Sequence, residues 1–175
     1  FLINFLSLLI ILIYTLQASN LEEHMNSPFR LTLVTNKGNT PTKKYLNFVA
    51  TCVQAGITCV QLREKGLRHN ALLKLGKELQ SILQPARIPL IVNDNVELAF
   101  ELDAAGVHLG QSDEDVLKAR ERLGKKRYIG LSIDSVKQVF KANKLPINYL
   151  GVGAIFPTDS KEDVKTIWGC MRLES

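Results

Sequence analysis

Five polar clusters each follow a short apolar run of β character: Gln61-Leu62-Arg63-Glu64-Lys65, Asn93-Asp94, Gly110-Gln111-Ser112-Asp113, Ser132 and Thr158-Asp159-Ser160-Lys161. Two aspartates among cations and amides suit a metal-bound anion. Mg2+ takes one or two carboxylates and completes its shell with water and phosphate oxygens, which makes Asp94 and Asp113 the metal candidates. Arg63, Lys65 and Lys161 could surround a diphosphate, Arg as a two-pronged donor and each Lys as a mobile point charge. Either Gln61 or Arg63 could line the mouth of such a pocket, and Asn93 offers both donor and acceptor to the edge of a heteroaromatic ring.

Each of these residues also has a plainer reading. Asp94 could end a strand in a turn, and Asp113 could cap the helix that follows it. A single Lys is more often part of a solvated rim than of a site, and Ser132 could satisfy nearby backbone. His108 lies between Val107 and Leu109 inside an apolar run. A hydrogen-bonded structural histidine is the commoner outcome there than a general base. His24 and His69 carry no partner pattern.

The elements that must position these clusters alternate from Phe29 onward between β-like runs and helical patterns, the signature of a parallel sheet with crossover helices. Strands are expected at 30–35, 58–62, 88–92, 106–109, 128–131 and 149–152. The first helix is expected to start from Asn39-Thr40-Pro41 and to stop at Gly56, and the second to be capped by Asn70 and closed by Pro85. A short helix around 96–102, a fourth beginning at Asp113 and ending at Gly124, and a fifth carrying Val136, Val139 and Phe140 complete the pattern. The fold class is α/β, a TIM (β/α)8 barrel truncated after about the sixth strand, and such barrels gather their strand C-termini on one face.

With 175 residues and 46% hydrophobic content the chain can bury one domain's core. Its net charge of +5 is spread over the chain rather than gathered into a stripe, so no nucleic-acid partner is expected. Cys52, Cys59 and Cys170 form no C-x-x-C pair and are odd in number, which fits a cytoplasmic protein with small core cysteines. Residues 1–16 are almost continuously apolar but shorter than the about 20 residues of a spanning helix, and Asn4, Ser7 and Thr15 interrupt them. The expectation is that residues 1–24 are an extension outside the domain, that the domain runs over 25–175 from Met25, and that no membrane is engaged. Composition leaves a homo-oligomer open.

The motifs Q-L-R-E-K at 61–65, N-D at 93–94, G-V-H-L-G-Q-S-D at 106–113, G-L-S at 130–132 and G-V-G-A-I-F-P-T-D-S-K at 151–161 resemble, in order, the thiamine-phosphate synthase family. The resemblance runs from about Phe29 to Gly169. It implies a TIM barrel that joins 4-amino-2-methyl-5-hydroxymethylpyrimidine diphosphate to 4-methyl-5-(2-hydroxyethyl)thiazole phosphate, giving thiamine phosphate and pyrophosphate with Mg2+. On that resemblance Gln61, Leu62, Arg63, Glu64, Lys65, Asn93, Ser132 and Lys161 hold the pyrimidine diphosphate. Asp94 and Asp113 hold Mg2+, and Thr158, Asp159 and Ser160 touch the thiazole phosphate. The diphosphate leaves first, a pyrimidine-stabilised carbocation forms, and the thiazole nitrogen captures it. Arg63, Lys65, Ser132 and Lys161 would then assist by stabilising the leaving group.

The chain departs from the family pattern in several places. Thr158-Asp159-Ser160-Lys161 stands where the family usually has Thr-x-Thr-Lys, and Asn95 replaces a frequent Arg after the N-D pair. Residues 170–175 follow no family pattern, and the last loops of the barrel are not found. Two alternatives follow: a TenI-like thiazole tautomerase, which typically lacks an aspartate at the position of Asp113, and an inactive truncated remnant of the synthase.

Overall fold

A computed structural model describes residues 27–157 and 167–169, together with the backbone of a short strand at 12–14. The strands are β1 (Leu12–Tyr14), β2 (Thr32–Val34), β3 (Cys59–Leu62), β4 (Leu90–Asn93), β5 (Gly106–Leu109), β6 (Tyr128–Ile133) and β7 (Tyr149–Val152). They alternate with helices α1 (Thr42–Gln54), α2 (His69–Leu83), α3 (Val96–Glu101), α4 (Val116–Leu123) and α5 (Val136–Ala142). Strands β2 to β7 lie side by side in chain order and all parallel, and β1 pairs antiparallel with β7 at the far edge. Six parallel strands, each joined to the next through a helix, make the curled half of a barrel.

Side chains alternate across each strand, so the sheet separates two cores. On the helix side, Val60, Leu62, Val92, Val107, Leu109, Ile129, Leu131 and Leu150 pack against Val49, Leu75, Leu79 and Ala119 of the crossover helices. On the opposite, inner side, Phe29, Cys59, Ile91 and Tyr149 form a smaller cluster, with the ring of Phe29 tilted on Tyr149 at 4.3 Å and edge-on to Tyr128 at 5.0 Å. Buried on both faces, strands β3, β5 and β7 have no exposed or half-exposed position. Cys59 is fully enclosed, burial pushes its thiol up to about 12, and both it and Cys52 are free. Cys170 lies outside the described residues.

Helix starts depart from the expected caps. Pro41 takes the N-cap position of α1 with no side-chain bond, and α2 begins at His69 after Arg68, so Asn70 sits inside the first turn. Asn95 caps α3 through Leu98 N–H. Asp115, not Asp113, caps α4, accepting from the N–H groups of Leu117 and Lys118. Among the described residues no helix is long and apolar enough to cross a membrane.

Candidate active site

Four strands deliver polar groups to one end of the sheet, where β3, β4, β5 and β6 finish. Gln61, near the end of β3, is buried and donates from Nε2 to Asn93 Oδ1 at 2.8 Å. Asn93, the last residue of β4, donates in turn from Nδ2 to Asp94 Oδ2 at 2.5 Å. Past the tip of β3 the backbone N–H of Arg63 donates to the hydroxyl of Thr35, a fully buried residue that follows β2. This bond ties the β3 exit to its neighbour strand and steadies the base of the arginine.

Asp94 turns the chain sharply, with φ at 62°, a left-handed backbone that Asp and Asn tolerate better than most residues. Its N–H donates to His108 O at 2.8 Å, so the turn is pinned to β5. The residue reaches solvent, but enclosure around its carboxyl pushes the pKa up to about 6. A hydrogen bond that protonated Asp94 would donate to Asp113, and that residue's charge, add to the rise, while Arg63 and the Asn93 amide partly offset it. Asp113 is held from behind by the N–H of Gly110, at 2.6 Å from Oδ2. A side chain at position 110 would crowd that oxygen.

Two like charges brought close together repel, and a divalent cation between them would relieve that repulsion. Among the described residues no group of three or more His, Cys, Asp or Glu comes together. The two carboxylates suit a hard cation that keeps water and ligand oxygens in its shell.

The remaining candidates separate. Ser132, on β6, lies 2.8 Å from His108 Nε2, and its carbonyl accepts from Gln111 Nε2 at 2.7 Å. Lys65 is exposed, two residues beyond Arg63. Leu62 points into the helix-side core, leaving only its backbone on the pocket side. Both oxygens of Glu64 accept from the N–H of Lys37, at 3.0 and 2.8 Å, so Glu64 binds the loop after β2. His69 contacts Glu101 at 3.1 Å. Thr158, Asp159, Ser160 and Lys161, like His24, lie outside the described residues.

The family model for thiamine monophosphate synthase matches residues 31–175. The chain belongs to this family. A thiamine-phosphate synthase of Chlamydia caviae is 51% identical over 146 residues, which make up 83% of this chain and 69% of that protein. One of Albidiferax ferrireducens is 42% identical over 140 residues, 80% of this chain and 64% of that protein. Among solved structures, a thiamine phosphate pyrophosphorylase from Pyrococcus furiosus superposes with a TM-score of 0.66 at 29% identity, covering 74% of this chain and 62% of that one. The chain thus spans about two thirds of the length of its thiamine-phosphate synthase relatives, and the barrel reading of the fold holds.

Residue types and spacing did not single out Thr35, Gly130 or Tyr149. Thr35 is an ordinary β-branched strand residue in sequence, and Tyr149 looks like core. Gly130 carried a faint signal, a glycine inside an apolar strand two residues before Ser132.

Proposed function

We propose that the chain is a thiamine-phosphate synthase, a transferase that joins the pyrimidine diphosphate to the thiazole phosphate with loss of pyrophosphate. The observation that carries this reading is the meeting of the Asp94 and Asp113 carboxylates beside Arg63 above adjacent strands. In it, Asp94 and Asp113 hold Mg2+, which would offset the burial and the Asp113 charge that raise the Asp94 carboxyl. When bound, Mg2+ neutralises negative charge on the diphosphate. Asn93, oriented by Gln61, reads the pyrimidine edge, and Arg63, Lys65, Ser132 and Lys161 grip the diphosphate. The backbone of Leu62 and Glu64 shapes the wall between them.

As the C–O bond to the leaving group stretches, charge accumulates on the diphosphate and on the pyrimidine methylene. The fixed cations stabilise the first and the amide-lined wall accommodates the second, so departure precedes attack by the thiazole nitrogen and no protein nucleophile is required. Thr158, Asp159 and Ser160 would present the thiazole phosphate. The reading includes a cytoplasmic enzyme with small-molecule substrates. A thiazole tautomerase would have no use for the carboxylate pair.

The purified chain, given both substrates and Mg2+, is expected to release pyrophosphate and form thiamine phosphate. Asp94→Asn and Asp113→Asn should each lower that rate about a hundredfold or more. Product formation without Mg2+, or unchanged rates in both variants, would overturn the assignment.

A further inference from the structure

One line of hydrogen bonds runs through the inner face of the sheet and ends at Ser132. Strand register places Asn93, His108, Gly130 and Tyr149 in a single row across β4, β5, β6 and β7. Gly130 leaves its place in that row empty, and the Tyr149 ring fills it: a Cβ on residue 130 would overlap the phenol carbons and hydroxyl. Through this gap Tyr149 reaches past β6 to β5, bringing its hydroxyl to 3.2 Å from His108 Nδ1. The other ring nitrogen, Nε2, lies 2.8 Å from Ser132 Oγ.

The direction of the protons follows from what the buried phenol can reach. Tyr149 is 3% exposed and burial keeps its hydroxyl protonated. Among the described residues its hydroxyl has one hydrogen-bond partner, the His108 ring. A buried O–H left without an acceptor is costly, so the phenol donates to Nδ1. A neutral imidazole that accepts at Nδ1 carries its proton on Nε2, and that N–H donates to Ser132 Oγ. The lone pair of Ser132 facing the histidine is thereby occupied, and the serine hydrogen is left to point away from the ring, free for another acceptor. In the opposite tautomer the serine would spend its hydrogen on the ring and present only lone pairs to an incoming anion.

The geometry points to His108 as a positioning residue, locked by Tyr149 through the space left at Gly130, that commits the Ser132 hydroxyl to donate to a diphosphate oxygen. His108 does not touch the reacting atoms. The inference rests on the proposed function in one respect, that Ser132 meets the diphosphate.

Two measurements on the full chain test it. Nitrogen-15 NMR of the histidine ring in the wild-type protein should show His108 with a protonated Nε2 and an unprotonated Nδ1, and the Tyr149→Phe variant should show a mixture of tautomers. A wild-type ring protonated on Nδ1 overturns the relay without the use of any variant. Calorimetric binding of inorganic pyrophosphate with Mg2+ supplies the second arm. Tyr149→Phe and Ser132→Ala should each weaken it about five- to tenfold, and the double variant should be no weaker than Ser132→Ala alone. Independent, additive losses overturn the relay while leaving the diphosphate site intact. Unchanged binding in Ser132→Ala instead overturns the serine contact in the proposed function, and the relay's purpose with it.

Discussion

Gly130 shows how one missing side chain can organise a site. The Tyr149 ring occupies the volume where a Cβ would stand, so Gly130→Ala forces either the ring or β6 to shift. We expect it to cost about 1–3 kcal/mol in urea unfolding, the usual range for overpacking a filled interior. Near-UV dichroism from the tyrosines should change with it. A stability within 0.5 kcal/mol of wild type, to use the ordinary scatter of about that size for neutral substitutions, would mean the ring is not held there. Arg63, Asn93, Asp94 and Asp113 were legible because charged and amide groups at strand ends have few structural reasons to be there. Thr35 and Tyr149 were not. Their roles depend on which residue the register sets opposite them, and register is a property of two strands, not of one.

Between elements, the two aspartates near the start of α4 divide their work. Asp115 satisfies two N–H groups of the helix, and Asp113 faces Asp94 across the site. Asp115→Ala is therefore expected to lose about 1 kcal/mol of stability, read from thermal or urea unfolding, with Mg2+-pyrophosphate binding retained. Asp113→Asn should do the reverse. Equal stability losses in both would return Asp113 to a capping role. A second link joins Glu97 in the first turn of α3 to Arg122 in the last turn of α4, at 2.8 Å, with the guanidinium 3.6 Å above the Phe100 ring. The hydrogen bond from Arg122 holds the Glu97 carboxyl below its ordinary range. Its contribution is present above the unfolded pKa, about 4.3, and disappears as the pH falls through the lowered folded value. The melting-temperature gap between wild type and Glu97→Gln should thus be visible at neutral pH and close in strong acid. The strands and helices themselves were readable from periodicity and breakers. Helix starts were not, because Thr40 and Asn70 are good caps by type, yet the preceding loops deliver Pro41 and Arg68 to the capping position.

For the molecule as a whole, the parallel sheet has β2 at one edge, and at the other β7 is covered by three antiparallel pairs from Leu12–Tyr14. We propose that the barrel unit itself begins at Met25 and that residues 1–24 are an addition to it. A chain starting at Met25 should keep its helical dichroism and melt within a few degrees of the full chain. With the outer edge of β7 uncovered, it should self-associate more readily in concentration-dependent light scattering, since unpaired strand edges template pairing. Loss of cooperative melting on truncation would show the added strand to be integral. The order of the parallel strands was legible in sequence from the alternation of strands and helices. The antiparallel β1 was not, as an apolar run without partners on either side gives no hint of where it will pair.

The left-handed backbone at Asp94 has a wider consequence. A side chain in that conformation costs roughly 1 kcal/mol relative to glycine. Directed evolution of this chain for heat tolerance alone should therefore favour Asp94→Gly, sturdier molecules that have discarded a carboxylate from the pair. Where selection for turnover is imposed at the same time, aspartate should survive, so the frequency of glycine at this one codon would report how much robustness the chemistry forgoes.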